Sequence, residues 1–234
     1  MVVSNHVSHA DPLTVADFLD DAGRYPRFLG KAELFDVPVL GGLLHAAGQI
    51  PVQRESEHAG SALAAAVAAV HRGECVVIYP EGTLTRDADL WPMVGKTGAA
   101  RVWWETRCPV IPVAQWGPQD LLAPYGRVPR FWRRPVIRVV AGEPLQFPTD
   151  GQLSTDGQLL TDAPPSFRAL TQMIMTSLSQ LLATLRDAEA PATVFDPRAS
   201  NLPRTGNPRK NQRQPRASVR DELGGTGGTD GGRD

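Results

Sequence analysis

The chain has 234 residues, of which 41% are hydrophobic, and its formal net charge is −1. This composition suffices for one domain with a hydrophobic core, and the near-zero charge excludes a global basic field that would attract nucleic acid. With only two cysteines, Cys75 and Cys108, no disulfide framework is expected, which indicates a reducing, cytoplasmic compartment. We expect neither a secretory signal nor a membrane-spanning helix, because the first residues lack a basic start and no apolar run reaches about 18 residues.

Strands and helices alternate along the predicted order of elements. Val2 and Val3 end a strand, and a helix begins at Asp11 and Pro12 and reaches about Asp20, with aspartate as the N-cap and proline at the first helical position. The later predictions are strands at 28–29, 50–52, 75–79, 110–114 and 136–141, and helices at 39–47, 61–72, 97–107 and 167–185. This alternation predicts one α/β domain over residues 1–187, with a central, mostly parallel sheet flanked by helices.

The composition changes after Asp187. Residues 188–234 are rich in Pro, Gly, Arg and polar residues and contain few apolar clusters. Such a segment cannot bury enough apolar surface to offset the entropy of ordering it, so we predict a disordered tail. Its basic stretch at 204–220 is either a solvated tail or a contact for anionic lipid head groups.

Two polar stretches, 5–11 and 80–86, follow predicted strands, where functional loops of α/β sheets are expected. His6, His9 and Asp11 would permit a zinc site. However, Val7 and Pro12 occupy two histidine positions of the His-x-His-x-Asp-His signature of binuclear metallohydrolases. We therefore expect no metal.

Nucleotide binding and serine hydrolysis are also disfavoured. The Gly-Lys-Thr at 95–97 lacks the earlier glycine of a phosphate-binding loop, because Leu90 stands at that position. It is better interpreted as the start of a helix, where Lys96 can contact an anion near the positive end of the helix dipole. No Gly-x-Ser-x-Gly nucleophile elbow occurs in the chain.

His6 and Asp11 are the remaining chemical candidates. His6 lies on the predicted strand-to-helix turn, and Asp11 follows five residues later, so the carboxylate can return to the imidazole. It would then select one tautomer and stabilise the imidazolium, leaving the other ring nitrogen as general base for a substrate hydroxyl. The alternative, that Asp11 only caps the helix and His6 is an ordinary loop residue, stays open from these residues alone.

Four short motifs resemble, in order, the conserved blocks of the glycerolipid acyltransferase family, which includes the 1-acyl-glycerol-3-phosphate acyltransferases. The first is Asn-His-Val-Ser-His-Ala-Asp at 5–11, similar to Asn-His-x-Ser-x-x-Asp. The second runs from Lys-Ala-Glu-Leu-Phe at 31–35 to Arg54, the third is Tyr-Pro-Glu-Gly-Thr at 79–83, and the fourth is Val-Ile-Pro-Val at 110–113. Together they span about half of the chain.

The resemblance implies an α/β fold like that of glycerol-3-phosphate acyltransferases. It implies acyl transfer from acyl-CoA or acyl carrier protein to the free hydroxyl of 1-acylglycerol 3-phosphate, giving phosphatidic acid. His6 would be the general base and Asp11 its partner, without an acyl-enzyme or a cofactor. Another lysolipid or glycolipid acceptor, or a non-catalytic lipid-binding relative, stays open.

The resemblance also implies residues for the acceptor. Lys31, Arg54 and Arg86 would bind its phosphate, although Leu84 occupies the position where the family has an arginine after Glu-Gly-Thr. Glu81, with Gly82 and Thr83, would position the loop or the acceptor hydroxyl, and the backbone amides at 82 and 83 would suit an anion.

A membrane surface is the expected partner, at the inner face of the cell membrane. The four arginines, Phe and Trp of residues 127–134 suit a lipid interface, with a solvated loop as the alternative. Leu40, Leu43 and Leu44 would line an acyl channel or, as we favour, pack in the core. Because family members carry a further strand or a membrane-associated segment before the first block, we expect that an amino-terminal segment is missing, which would expose an edge of the sheet.

Overall fold

A computed structural model describes residues 1–52, 59–148 and 166–199. The described residues form six strands: β1 (Val2–Ser4), β2 (Pro26–Lys31), β3 (Ile50–Val52), β4 (Cys75–Ile78), β5 (Ile111–Trp116) and β6 (Arg138–Ala141). They also form six α-helices: α1 (Asp11–Asp21), α2 (Leu40–Ala46), α3 (Ala59–His71), α4 (Gly98–Thr106), α5 (Pro118–Leu121) and α6 (Phe167–Arg186). Short 3-10 turns occur at Ala32–Leu34 and Phe131–Arg133.

The strands form one sheet in the order β3-β2-β4-β1-β5-β6. All neighbouring strands are parallel except β5 and β6, which are antiparallel. The predicted α/β domain with a mostly parallel central sheet is therefore confirmed. The chain leaves β1 towards β2 and leaves the neighbouring strand β5 towards β6, in opposite directions along the sheet. Crevices for ligands form where neighbouring strands diverge in this way, at their carboxyl ends.

Helices cover both faces of the sheet. The side chains of β1 alternate, so Val2 packs with Val15 and Leu19 of α1, whereas Val3 packs with residues of α4 and α6 on the opposite face. Helix α3 covers the β3–β4 side of that second face, where its alanines allow close approach. Helix α6 begins at Ser166, whose hydroxyl accepts a hydrogen bond from the Ala169 N–H at 3.1 Å.

The start of α1 differs from the prediction. Ala10, not Asp11, is the N-cap residue, and it makes no side-chain cap hydrogen bond. Asp11 is the first helical residue, and its carboxylate turns back to the loop before the helix. An acidic side chain in the first helical turn is also favourable for the helix dipole, which is why the sequence pattern did not separate the two positions.

Of the three leucines of α2, Leu44 is half-buried, and the other two do not pack in the core as predicted. Leu43 is 65% exposed and Leu40 is 38% exposed, and Gly41 is the buried residue of this helix. This short helix is carried by a loop beyond the sheet, and none of the described elements covers its exposed leucines. The carbonyl oxygen of Phe35 lies where a Cβ of Gly41 would be, so this turn requires glycine.

The two ends of the domain are placed differently in the fold. The first strand, β1, lies inside the sheet between β4 and β5, and among the described strands the edges are β3 and β6. Residues 188–199, the first part of the predicted disordered tail, lie against the domain, because Phe195 forms a parallel bridge with Met93 and accepts a hydrogen bond from the Val94 N–H at 2.9 Å. The basic stretch at 204–220 lies outside the described residues.

Candidate active site

The loops that follow β1 and β4 meet at the carboxyl edge of the sheet, because these parallel strands are neighbours. The N–H of His6 donates to Oε1 of Glu81 at 2.9 Å, and the N–H of Thr85 donates to the carbonyl oxygen of His6 at 2.7 Å. The first and third sequence motifs, which are separated by about seventy residues, are thus joined by hydrogen bonds on both sides of His6.

His6 and Asp11 form a hydrogen-bonded pair. Nδ1 of His6 lies 2.8 Å from Oδ2 of Asp11, and the same oxygen accepts the N–H groups of Val7 at 2.6 Å and Ser8 at 2.9 Å. The other oxygen, Oδ1, is buried and has no hydrogen-bond partner within the described part of the chain. The Asp11 side chain is fully buried, whereas that of His6 keeps 14% of its surface exposed. Because Nδ1 is engaged, Nε2 is the ring nitrogen that remains for a substrate.

Burial raises the pKa of Asp11 above its usual value, against the opposing effects of His6 and of the two backbone N–H groups. The imidazole of His6 is held from its face by Tyr79, whose ring is stacked at 4.3 Å between centroids with an interplanar angle of 20°. Phe28 lies behind Tyr79 at 6.1 Å. The ring orientation of His6 is therefore restrained by one hydrogen bond and one stacked aromatic ring.

Further polar side chains of the His6 loop form hydrogen bonds with strand β5 and with the residue that follows α5. Asn5 exchanges two hydrogen bonds with the backbone of Gln115 in β5, Nδ2 to the carbonyl at 3.1 Å and the Gln115 N–H to Oδ1 at 2.9 Å. The hydroxyl of Ser8 donates to the carbonyl oxygen of Leu122 at 2.6 Å. Asn5 and Ser8, two defined positions of the first motif, thus act on the loop geometry.

Glu81 is a buried structural acid beneath the site. Only 2% of its surface is exposed, and its two oxygens accept the N–H groups of His6 at 2.9 Å and Met93 at 3.2 Å. Burial raises its pKa from 4.5 to about 8. Glu81 therefore keeps its proton at neutral pH and holds the His6 loop against the segment around Met93.

The raised pKa of Glu81 predicts a pH dependence of stability. Below pH 4.5 both the folded and the unfolded chain carry the proton; between 4.5 and about 8 only the folded chain keeps it, so the free energy of unfolding falls as pH rises. Glu81→Gln removes this titration. The free energy of unfolding of the wild type should therefore fall by a few kcal/mol more than that of the variant as the pH rises from 5 to 8.5. Urea denaturation at each pH measures this difference.

A matched control is Glu143→Gln, since Glu143 is exposed. At every pH, Glu81→Gln also loses one of the two N–H contacts, because an amide has one acceptor oxygen. The change with pH is therefore the informative quantity. Equal pH profiles for the wild type and both variants would contradict proton retention by Glu81.

The predicted phosphate-binding residues lie in different surroundings. Lys31, at the end of β2, is 47% exposed and pairs with Glu33 at 2.7 Å. Arg86 is only 9% exposed, and Leu84 is 1% exposed within the core. Among the described residues, neither Lys31 nor Arg86 lines the cavity beside His6. Arg54 lies outside the described residues, so these phosphate roles stay predictions.

Beside His6 there is a cavity of about 240 Å³. It shares Lys96 with a neighbouring groove of about 280 Å³ between α3 and α4, whose lining is mostly apolar. Gly82 has φ +69°, which favours glycine, and a Cβ there would lie 2.9 Å from Nζ of Lys96, a flexible side-chain end that would have to move. The residues shared by the cavity and the groove are Leu29, Ala62, Ile78, Lys96 and Gly98.

Lys96 is the functional candidate that the motif comparison did not include. The Gly-Lys-Thr pattern did predict a helix start, and α4 begins directly afterwards with Thr97 at its N-cap. Residues 1–52, 59–148 and 166–199 contain no cluster of three or more His, Cys, Asp or Glu side chains that could hold a metal ion.

Comparison with known proteins finds similarity to acyltransferases. The family model described as Acyltransferase matches residues 1–116. A chloroplastic 1-acyl-sn-glycerol-3-phosphate acyltransferase of Brassica napus is 31% identical over 116 residues, covering 49% of this chain and 32% of the relative. Its counterpart in Arabidopsis thaliana is 28% identical over 116 residues, covering 49% of this chain and 31% of the relative. The chain thus spans about a third of the length of these curated relatives.

A solved structure is similar over a larger share of the chain. The 1-acyl-sn-glycerophosphate acyltransferase PlsC of Thermotoga maritima superimposes with a TM-score of 0.52 at 21% sequence identity, covering 79% of this chain and 65% of that one. This similarity supports the fold. The family match identifies residues 1–116, which contain the hydrogen-bonded His6–Asp11 pair, as a domain of the acyltransferase family.

Proposed function

We propose that this chain transfers a fatty acyl group from acyl-CoA or acyl carrier protein to the free hydroxyl of 1-acylglycerol 3-phosphate, forming phosphatidic acid for phospholipid biosynthesis. The observation that carries the proposal is the His6–Asp11 pair, with Nδ1 held by the buried carboxylate and the imidazole bordering a cavity. The names of the two plant relatives and of the bacterial structure support this acceptor.

The proposed reaction needs one proton acceptor and no covalent enzyme intermediate. Nε2 of His6 takes the proton from the acceptor hydroxyl as its oxygen attacks the thioester carbonyl, while the Asp11 carboxylate stabilises the imidazolium. When the tetrahedral intermediate collapses, the C–S bond breaks and the imidazolium returns the proton to the departing thiolate. The balance requires no cofactor, and the two free cysteines, Cys75 and Cys108, have no role in it.

The groove between α3 and α4 suits the acyl chain. Its volume is about 280 Å³, and it adjoins the His6 cavity through Leu29, Ala62 and Ile78. Apolar burial would favour a hydrocarbon chain there, with the thioester directed towards His6. Leu40 and Leu43, which the sequence offered as an alternative lining, do not border this groove among the described residues.

Lys96 is proposed to contact the acceptor phosphate. It borders the His6 cavity, and it precedes α4 at the positive end of the helix dipole. The neighbouring Leu84 provides no cation because its side chain is in the core. Lys31, Arg54 and Arg86 remain further proposed phosphate contacts.

The proposal is tested by measuring turnover of a labelled acyl-CoA and acyl carrier protein thioester with a panel of acceptors. Lysophosphatidate should react fastest, ahead of lysophosphatidylcholine, glycerol 3-phosphate and monoacylglycerol. A faster reaction with a glycolipid or another lysolipid would assign the second candidate acceptor. Absence of transfer to every acceptor would favour a non-catalytic lipid-binding relative.

Charge variants at Lys96 sharpen the same assay. Lys96→Gln should raise KM for lysophosphatidate about 10-fold and change KM for monoacylglycerol little, because only the former carries the phosphate. Lys96→Arg, which keeps the charge, is the matched control. An equal rise of KM for both acceptors in Lys96→Gln would indicate a structural role.

We infer that the protein acts as a peripheral protein at the inner face of the cell membrane, with no nucleic-acid partner. Among the described helices, none combines the length and hydropathy of a bilayer-spanning helix. The acceptor is a membrane lipid, so the enzyme has to reach it at the bilayer surface.

A further inference from the structure

Large apolar side chains are exposed at the edge of the sheet that carries His6. Strands β1, β2 and β5 all run towards this edge, because β2, β4, β1 and β5 are mutually parallel. The segments that follow β2 and β5 leave the sheet there, on opposite sides of β1. Their exposed apolar residues are Leu34, Val37, Val39, Leu40 and Leu43 after β2, and Val128, Phe131, Trp132 and Val136 after β5.

The segment after β5, residues 127–136, combines aromatic exposure with positive charge; we call it the aromatic-arginine segment. Phe131 and Trp132 are each 70% exposed on a short 3-10 turn. The segment contains four arginines and no acidic residue, and Arg133 and Arg134 beside the aromatics are exposed. Exposed adjacent Phe and Trp are unfavourable in water, whereas such rings sit well at the level of lipid head groups.

Hydrogen bonds through Leu121 and Leu122 link the aromatic-arginine segment to the loop that carries His6. The Arg130 N–H donates to the carbonyl oxygen of Leu121 at 2.7 Å, and the next carbonyl, that of Leu122, accepts the hydroxyl of Ser8 at 2.6 Å. The rings of His9 and Tyr125 meet edge to face at 6.0 Å between centroids. A surface that binds this segment would therefore lie beside the loop that carries His6.

We propose that the aromatic-arginine segment docks this edge of the protein on an anionic lipid bilayer. Phe131 and Trp132 enter the interfacial region, and the arginines contact lipid phosphates. The inference rests on the proposed function in one respect: a bilayer is where a lysophospholipid acceptor resides. A bilayer is favoured over an acidic protein such as acyl carrier protein, because that partner explains the arginines but not two adjacent exposed aromatic rings.

The test uses the full chain and vesicles of phosphatidylcholine, alone or mixed with phosphatidylglycerol, with binding measured by co-sedimentation. The wild type should prefer the anionic vesicles. The Phe131→Ser/Trp132→Ser variant should bind them at least about 10-fold more weakly. The Arg133→Gln/Arg134→Gln variant should bind about five-fold more weakly per arginine, and its binding should depend less on salt than that of the wild type.

The matched control is Arg24→Gln/Tyr25→Ser. It removes an exposed arginine and a tyrosine that is 72% exposed at the start of β2, at the opposite edge of the sheet. This variant should bind vesicles as the wild type does. The proposal is overturned if the control loses as much binding as the aromatic variant, or if wild type binds acyl carrier protein through residues 127–136 and ignores vesicles.

A second measurement separates this inference from the proposed activity. Acyl transfer is compared for lysophosphatidate in anionic vesicles and for a short-chain, monomeric analogue in solution. Phe131→Ser/Trp132→Ser should lower the vesicle rate about 10-fold relative to the solution rate. An unchanged ratio contradicts the docking surface, whereas vesicle binding without turnover of either acceptor contradicts the proposed activity and leaves docking intact.

Discussion

His6→Ala is expected to lower kcat for acyl transfer at least about 10³-fold, because the general base is removed from the reacting hydroxyl. The fold should survive. His6 supplies one of the three hydrogen bonds to Oδ2 of Asp11, and the backbone N–H groups of Val7 and Ser8 supply the other two. The loss of one buried hydrogen bond and of the Tyr79 stacking corresponds to about 1–3 kcal/mol. Single-turnover kinetics with a labelled thioester would measure the effect.

The control for His6→Ala is His6→Gln, whose side-chain amide can still donate to Asp11 but cannot act as a base near neutral pH. Both variants should be equally inactive, and His6→Gln should unfold closer to the wild type in urea. If either variant retains more than about a tenth of wild-type turnover, the proton leaves the hydroxyl by another route, and the proposed mechanism is wrong.

Asp11→Asn is expected to reduce kcat about 10²–10³-fold with little change in KM, because the imidazolium loses its counter-charge. The asymmetric hydrogen bonding of Asp11 makes this variant informative. Oδ2 accepts three hydrogen bonds, and the buried Oδ1 accepts none from residues 1–52, 59–148 or 166–199. An asparagine can place its carbonyl oxygen at the Oδ2 position and its amide nitrogen at the Oδ1 position. The tautomer of His6 and the shape of the loop would then be retained, so the variant isolates the effect of charge.

The comparison variant is Asp11→Ala, which leaves two backbone N–H groups and the imidazole without their acceptor. It should destabilise the domain by about 2–4 kcal/mol and lower kcat further than Asp11→Asn does. Unfolding by urea and turnover should be measured for both variants. Equal turnover in Asp11→Asn and the wild type would show that the carboxylate contributes only geometry, against the proposed role of its charge.

Much of the fold was accessible from local patterns. The apolar run of β4, the alanine-rich α3 that stops at Gly73, and the amphipathic α6 each have a periodicity that identifies the element. The order of these elements predicted a parallel sheet, and the hydrogen bond between His6 and Asp11 was accessible because both residues lie on one short turn. In each case the deciding interactions are close in sequence.

Other features depended on contacts between distant segments. Leu43 is apolar and at helical spacing, yet it is exposed because none of the elements that the structure describes covers it. Phe195 lies in a polar, proline-containing segment, yet it pairs with Met93 of a loop a hundred residues earlier. Composition describes what a segment can bury by itself, whereas these outcomes depend on whether another segment lies beside it.

The sequence by itself determined the α/β class and the order of the elements, and it predicted the local pair of His6 and Asp11, because periodicity, turn length and motif order act over short distances. Only the tertiary structure decided which distant groups surround that pair. Parallel pairing of β1 with β4 brought Glu81 under the His6 loop, with its pKa raised by burial to about 8, and placed Lys96 beside the cavity. Burial and the proximity of distant charges are properties of the packed chain, so no local pattern of residues contains them.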